Sequence, residues 1–270
     1  KQIFILTLIW LVVLINLLQK MVLRMETAKM IKRWQEKILR EEINTRRGVH
    51  LTGARQCGKT TLAEFVAQDE MRHLPLDDDR LLKAAKDDPY SFVDRRDGRT
   101  LVIDEIQKAA ELLNAIKIRM DHDSSPGQYL ITGSSNLRFT KAVKDSLAGR
   151  LGRVRLRTLS LGEVSGGKGD FLRRAFAHDF PSTLPAFDKR DVIHCAFCGG
   201  YPEPMGFSAR SRRRWYAEYM QDLLTKDVQD VTEVRKLTAL QKVSDWMMAY
   251  SSKFFEMNSL CQASQLGKET

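Results

Sequence analysis

Residues Gly53-Ala54-Arg55-Gln56-Cys57-Gly58-Lys59-Thr60 fit the pattern G-x-x-x-x-G-K-[ST] without a mismatch. The run constrains the fold because its chemistry works only between a strand and a helix. Val49-His50-Leu51-Thr52, just before it, reads as a buried strand, and Thr61 to Gln68, just after it, is rich in helix formers. A loop in that setting points several backbone N–H groups at one spot, and the helix N-terminus adds positive potential there. Its two glycines let the backbone curl around a phosphate chain. The pattern predicts a nucleoside-triphosphate cradle formed by Gly53, Ala54, Arg55, Gln56, Cys57, Gly58, Lys59, Thr60 and Thr61. Within it Lys59 reaches the β- and γ-phosphates, and the Thr60 hydroxyl ligates Mg²⁺. Cys57 reads as a position tolerant of size rather than a redox switch.

Short apolar runs alternate with helical stretches through the following hundred or so residues. His73-Leu74-Pro75-Leu76, Thr100-Leu101-Val102-Ile103, Tyr129-Leu130-Ile131-Thr132 and Val154-Arg155-Leu156-Arg157 read as strands. In the last of these Arg153, Arg155 and Arg157 alternate onto one face. Ala28 to Ile43, Leu81 to Lys86 and Ala109 to Met120 read as helices, the second stopped by Asp87-Asp88-Pro89. Such alternation predicts an α/β fold, a three-layer parallel sheet with helices on both sides. The Gly-rich stretch Gly162 to Asp170 reads as a linker. Beyond it the pattern is helical over Phe171 to Phe180, Asp188 to Phe197 and Arg212 to Asp230, broken by a turn at Gly199-Gly200-Tyr201-Pro202-Glu203-Pro204. The expected division is an apolar segment over 1–24, a nucleotide-binding domain over 25–161, a helical lid or linker region over 162–255, and the start of a further domain over 256–270.

Asp104 and Glu105 follow an apolar strand that would end at the sheet's C-terminal edge, where open α/β sheets bind ligands. Asp104 is therefore the expected Mg²⁺ carboxylate beside Thr60, and Glu105 the base that activates the attacking water. Thr132, Ser134 and Asn136 close the fourth strand with polar groups suited to sensing the γ-phosphate, with turn formation as the alternative. Arg150 is the candidate arginine finger for a neighbouring nucleotide, with Arg153 as its rival.

The charge balance, 44 basic against 34 acidic residues for a net +10, allows an acidic partner, either nucleic acid or an anionic membrane. Arg210, Arg212, Arg213 and Arg214 form a basic run ahead of Trp215, read either as a DNA patch or as an ordinary solvated helix face. Four cysteines give no disulfide framework, and Cys195-Ala196-Phe197-Cys198 beside His194 is only half a zinc pattern. Ile3 to Leu18 is apolar apart from Thr7 and Asn16, slightly short of the roughly 20 residues that span a bilayer. Two readings stand. Either it is a membrane anchor, whose basic flank keeps the nucleotide-binding part in the cytoplasm, or the segment comes from an upstream start, with Met21, Met25 or Met30 opening a cytoplasmic protein.

The segments LTGARQCGKTTL, HLPLDD, DPYSF, LVIDEIQKAAELL, YLITGSSN, SLAGR with RVRLRTLSLGE, and GGYPE, in that order, carry a family likeness. The chain resembles the prokaryotic AAA-type ATP-binding proteins that bear a C-terminal domain of unknown function, from about Met30 to its end. The resemblance implies a P-loop NTPase core of the additional-strand catalytic-glutamate type, with ATP and Mg²⁺ as cofactors, and a winged-helix-like module behind it. Residues 263–270 look like the opening of a helix-turn-helix, so most of the family's C-terminal domain, with any DNA contact located in it, is expected to be missing from this chain. The apolar N-terminus has no place in the family pattern. The expectation is a Mg²⁺-dependent ATPase acting as a conformational switch, through a homo-oligomer that supplies Arg150 across an interface. The alternative is an ATP-regulated DNA-binding regulator or defence protein.

Overall fold

The computed structural model of the chain describes residues 31–67, 71–134, 147, 149–179, 189–227, 237–251, 253, 254 and 256–264. The apolar segment at 1–24 lies outside them. Among the described residues no helix is long and apolar enough to cross a membrane.

Val49 and Leu51, Val102, and Val154 and Leu156 alternate with residues of opposite orientation along their strands. The period of two therefore gives each strand two buried sides, as a sheet covered on both faces requires. Among the described residues five strands result: β1 (Gly48–Gly53), β2 (Met71–Pro75), β3 (Thr100–Asp104), β4 (Tyr129–Ser134) and β5 (Leu151–Leu156). They form one parallel sheet in the order β2-β3-β4-β1-β5. The position of β4 between β1 and β3 is the additional-strand arrangement that the family resemblance implied.

One face of the sheet is covered by α1 (Gln35–Thr45) and α2 (Lys59–Ala67), through Leu39, Ile43, Leu62 and Val66 packed on Val49, Leu51, Val102, Leu130, Val154 and Leu156. The other face carries α3 (Asp79–Asp87), α4 (Pro89–Val93) and α5 (Leu112–His122), whose Ala85, Phe92, Leu113 and Ile116 meet Leu101, Ile103 and Ile131. Among the described residues α1 begins at Gln35, and Arg33 and Trp34, expected within the helix, are instead held in tertiary contacts described below, while Ala28 lies outside the described residues. The expected stop at Asp87-Asp88-Pro89 is also a start. The Asp88 carboxylate accepts from Ser91 N–H at 3.0 Å with Pro89 in the first helical position, so the same residues end α3 and cap α4.

Gly162 to Asp170, expected as a linker, is packed structure at its start. Helical turn α6 (Leu161–Val164) is closed by a capping box between Ser160 and Glu163. The glycines that suggested flexibility make room for an indole instead: a Cβ at Gly162 would sit 2.5 Å from Trp34 Cη2, and one at Gly169 2.7 Å from Trp34 Cδ2. Trp34 Nε1 donates to Gly167 O at 2.9 Å. The later part of the chain is helical as expected, with α7 (Phe171–Phe176), α8 (Lys189–Cys198), α9 (Ala209–Asp222) continued by a π-helical turn at Leu223–Asp227, α10 (Leu237–Ala249) and α11 (Met257–Ser264). Residues 265–270, and with them most of the expected helix-turn-helix opening, lie outside the described residues.

Burial, reinforced by Arg153 on the neighbouring strand, lowers the His50 pKa to about 4 from its ordinary 6.5. The folded protein thus holds a neutral imidazole that the unfolded chain protonates first, so stability rises with pH between these two values. At pH 5 the chain should be less stable than at pH 7.5 by about 2 kcal/mol from this residue alone. Denaturant unfolding across pH 4–7.5 should show that slope, and His50→Gln should remove it.

Candidate nucleotide site

The loop after β1 is shaped by close approach. A Cβ on Gly53 would stand 2.9 Å from Cys57 Sγ, and Gly58 adopts φ 95°, which suits only glycine. Gln56 also takes a left-handed φ of 57°. Cys57 turns inward to the core, its Sγ 3.7 Å from Leu156 O. Burial raises its thiol pKa against the opposing pull of Lys59 and Arg33, which leaves a protonated packing residue. Ala54, Arg55, Gln56 and Thr61 are exposed, whereas Lys59 is buried. The Lys59 ammonium donates to Ala54 O at 2.9 Å and Gly53 O at 3.3 Å, so the cation sits inside the curl of its own loop.

Two strands away, β3 delivers its carboxylates to the same place. Thr60, on the first turn of α2, donates to Asp104 Oδ2 at 2.7 Å. The other Asp104 oxygen accepts from Thr132 on β4, and the Thr132 hydroxyl in turn accepts from Glu105 N–H at 3.2 Å. Thr132, expected among the nucleotide sensors, is thus engaged in orienting both acidic residues. Glu105 leaves the strand in a left-handed conformation, φ 56° and ψ 49°, and its carboxylate accepts from Gln107. A non-glycine residue held there carries strain of about 1 kcal/mol or more, which the Thr132 bond helps to sustain. Hydroxyl and carboxylate oxygens are the hard donors a Mg²⁺ ion takes, and Thr60 and Asp104 present one of each, side by side.

Lys59, Thr60 and Glu105 line one cleft of about 490 Å³, which also takes in Gln56, Gly58 and Thr61. Its lining also takes in the apolar residues Ile31, Leu62, Phe65, Leu159 and Pro202, together with Glu36 and Glu203. Gly53 and Ser134 are register partners at the ends of β1 and β4, which puts the Ser134 backbone beside the loop. Asn136 lies outside the described residues. Arg150 is elsewhere: it precedes Leu151, the register partner of Gly48, at the edge of the sheet opposite the loop. There it is ion-paired with Asp121 at 2.6 Å, and that bond holds the Asp121 carboxyl below its ordinary range. Arg153 is exposed on β5, beside His50.

The four arginines ahead of Trp215 do not form one free basic surface. Arg212 is buried, its guanidinium donating to Pro204 O at 3.3 Å and Phe207 O at 2.8 Å, and Arg214 pairs with Glu218 at 2.7 Å. Arg210 and Arg213 are exposed. Cys195 and Cys198 are free thiols on α8, with His194 Nε2 3.4 Å from Cys198 Sγ. Among the described residues no group of three or more potential metal ligands comes together.

Two residues around the loop escaped the motif reading. Arg33 is buried and donates to Cys57 O at 3.0 Å, to Arg157 O at 2.5 Å and to Glu163 Oε1 at 3.1 Å. Glu163 also accepts from the backbone N–H of Ser160 at 2.8 Å and of Trp34 at 2.9 Å. The pair therefore ties the loop, the end of β5 and the start of α6 together. The spacing Ser160-x-x-Glu163 was a readable capping signal for the second of them. No local pattern marks Arg33.

A parallel sheet with β4 inserted between a G-x-x-x-x-G-K-T loop strand and an Asp-Glu strand is the fold of the AAA-type P-loop ATPases. Residues 45–165 match the family described as AAA domain, and residues 189–270 match a second, the Domain of unknown function (DUF8612). The chain thus carries an AAA-type P-loop ATPase domain followed by a DUF8612 domain. Over 139 residues it is 31% identical to the uncharacterized proteins Rv2008c of Mycobacterium tuberculosis and Mb2031c of Mycobacterium bovis. The match covers 50% of this chain and 30% of each relative, so it spans less than a third of their length. Among solved structures, the Walker-type ATPase PABY2304 of Pyrococcus abyssi is similar at 13% identity and a TM-score of 0.49, over 87% of this chain and 89% of that one. AMPPCP-bound DnaA from Aquifex aeolicus is similar at 14% identity and a TM-score of 0.38, over 84% and 80%.

Burial opposes ionisation of Glu163, but the Ser160 and Trp34 N–H groups and the Arg33 guanidinium outweigh it and hold the carboxyl below its ordinary 4.5. A depressed folded pKa means this contribution is present above the unfolded value and fades as pH falls through the folded one. Arg33→Met strands the buried carboxylate and should cost about 3–5 kcal/mol at neutral pH. The double variant Arg33→Met/Glu163→Gln should recover most of that loss in denaturant unfolding.

Proposed function

We propose that the chain is a Mg²⁺-dependent ATPase whose hydrolysis drives a conformational switch. One observation carries the reading: the Thr60 hydroxyl donates to the Asp104 carboxylate at 2.7 Å, and Thr60 lines one cleft with Lys59 and Glu105. The loop N–H groups and the Lys59 ammonium bind the phosphates and stabilise charge on them during transfer. Mg²⁺, held by Thr60 and Asp104, supplies charge neutralisation across the phosphate oxygens when bound. Glu105 accepts the proton of the attacking water. The two carboxylates keep different partners, Glu105 with Gln107 and Asp104 with Thr60 and Thr132, so that the two acidic residues serve separate roles. The apolar residues of the cleft, Phe65 and Pro202 among them, suit a nucleobase.

Lys59→Ala should lose nucleotide binding. Glu105→Gln should retain binding and lose turnover by about 10²–10⁴-fold, as measured by phosphate release. Wild-type rates in Glu105→Gln would sink the assigned role.

Arg150 acts, in this proposal, on the nucleotide of a neighbouring copy after exchanging its bond to Asp121 for the phosphate. Arg150→Ala should lower turnover by about 10³-fold or more without weakening nucleotide binding. Mixing Arg150→Ala with Lys59→Ala subunits, each inactive alone, should restore part of the activity, because the first keeps a loop and the second keeps an arginine. Failure of the mixture to recover turnover would remove the arginine from the site.

A further inference from the structure

The phosphate loop is held from outside the AAA domain. Two of its carbonyls are taken by side chains that lie beyond residues 45–165: Cys57 O by Arg33, and Arg55 O by the Tyr219 hydroxyl at 3.3 Å. In a trans peptide the C=O and N–H point in opposite directions. Anchoring these two oxygens therefore turns the N–H groups of Gln56 and Gly58 away from Arg33 and Tyr219. It also fixes the left-handed turns at Gln56 (φ 57°) and Gly58 (φ 95°). A cradle works by aiming N–H groups before the phosphate arrives, so whatever fixes its carbonyls pre-organises binding.

Of the two anchors, Tyr219 belongs to the 189–270 domain. Its ring is placed by a built cluster: Trp215 stacks on it at 5.2 Å and 8°, and Tyr201 packs at 4.9 Å. The Tyr201 hydroxyl donates to the Tyr219 hydroxyl at 2.9 Å, which makes a two-step relay from the turn before α9 to the Arg55 carbonyl. The turn is itself pinned to the ATPase domain by Leu159 N–H donating to Gly200 O at 2.7 Å. Tyr216 closes the cluster from the other side, donating to Cys198 O at 3.0 Å. Each hydroxyl thus sits at the end of a ring that packing keeps in one place.

Resting on the nucleotide reading above, we infer that Tyr219 is a positioning residue for the phosphate loop and the point through which nucleotide binding is coupled to the 189–270 domain. Nucleotide that orders the loop strengthens the Arg55–Tyr219–Tyr201 relay. By reciprocity, anything that docks the 189–270 domain more firmly tightens nucleotide binding by the same factor.

Tyr219→Phe in the full chain keeps the ring, its stacking on Trp215 and its packing on Tyr201, and removes only the hydroxyl. The Kd for a Mg²⁺-bound non-hydrolysable ATP analogue should rise by about 3-fold to 10-fold, the scale of one lost hydrogen bond. KM for ATP should rise with it while kcat stays near wild type. The thermal midpoint without nucleotide should stay close to wild type. Amide exchange gives the decisive readout. The analogue should protect residues 201–222 in the wild type and no longer protect them in Tyr219→Phe, while still protecting the loop itself. Tyr201→Phe keeps the bond to Arg55 and should lose the same remote protection with a smaller change in Kd. Equal affinity and intact 201–222 protection in Tyr219→Phe would overturn the coupling and leave the nucleotide reading standing. A folded wild-type chain that binds no analogue would overturn both.

Discussion

The parallel register of β1, β4 and β3 is the constraint on which the site depends. Gly48 and Leu101 both stand opposite Tyr129, so all three strands run level to the same edge. That alignment sets Gly53 beside Ser134 and carries Thr132 to Asp104. A slip of one residue in any pair would turn every side chain to the other face, carrying Asp104 with Val102 into the core of Leu101 and Ile103 and away from Thr60 and Thr132. The apolar alternation that fills both cores is therefore what aims the acidic residues. Chemistry at the edge and packing in the interior are one specification.

The loop itself is different, because no strand dictates its shape. Its conformation is a balance of contacts made to its carbonyls: Lys59 from inside, Arg33 from the segment before α1, and Tyr219 from α9. Arg33 is the most demanding of the three, since a guanidinium out of water needs every donor used. Glu163, Cys57 O and Arg157 O engage its Nε, Nη1 and Nη2 in turn, one bond to each nitrogen. Such a pair adds little net stability over an apolar replacement but enforces one geometry, and here that geometry is the loop's.

Elements whose signal is local were legible in the sequence. The strands, the phosphate loop, the acidic pair and the order of helices are read from periodicity and from short patterns, and the structure brings Asp104 onto Thr60 with Glu105 next in the chain. What escaped were contacts across long separations. Arg33 and Glu163 stand 130 residues apart and Arg55 and Tyr219 stand 164 apart, and neither pairing leaves a spacing to read. Gly162 and Gly169 misled because glycine for flexibility and glycine for clearance look the same until Trp34 is seen against them. The arginine run misled for a related reason: Arg212 is a buried donor to Pro204 and Phe207, indistinguishable in sequence from its exposed neighbours Arg210 and Arg213.

Sheet geometry also decides what Arg150 is able to do. A six-residue strand spans about 20 Å, and Arg150 sits at one end of β5 while the phosphate loop lies level with the other. No rotamer crosses that distance, so a role for Arg150 in phosphoryl transfer is intermolecular or it is nothing. The two edges of one sheet would then be the two halves of a single interface, loop edge against arginine edge. An interface that joins different surfaces of identical chains is head-to-tail, and it closes into a ring or winds into a filament according to the rotation between neighbours. In such an assembly the Arg150–Asp121 bond competes with the contact to the next chain. The isolated chain would then hold its arginine out of use, and assembly would release it at the site of its neighbour.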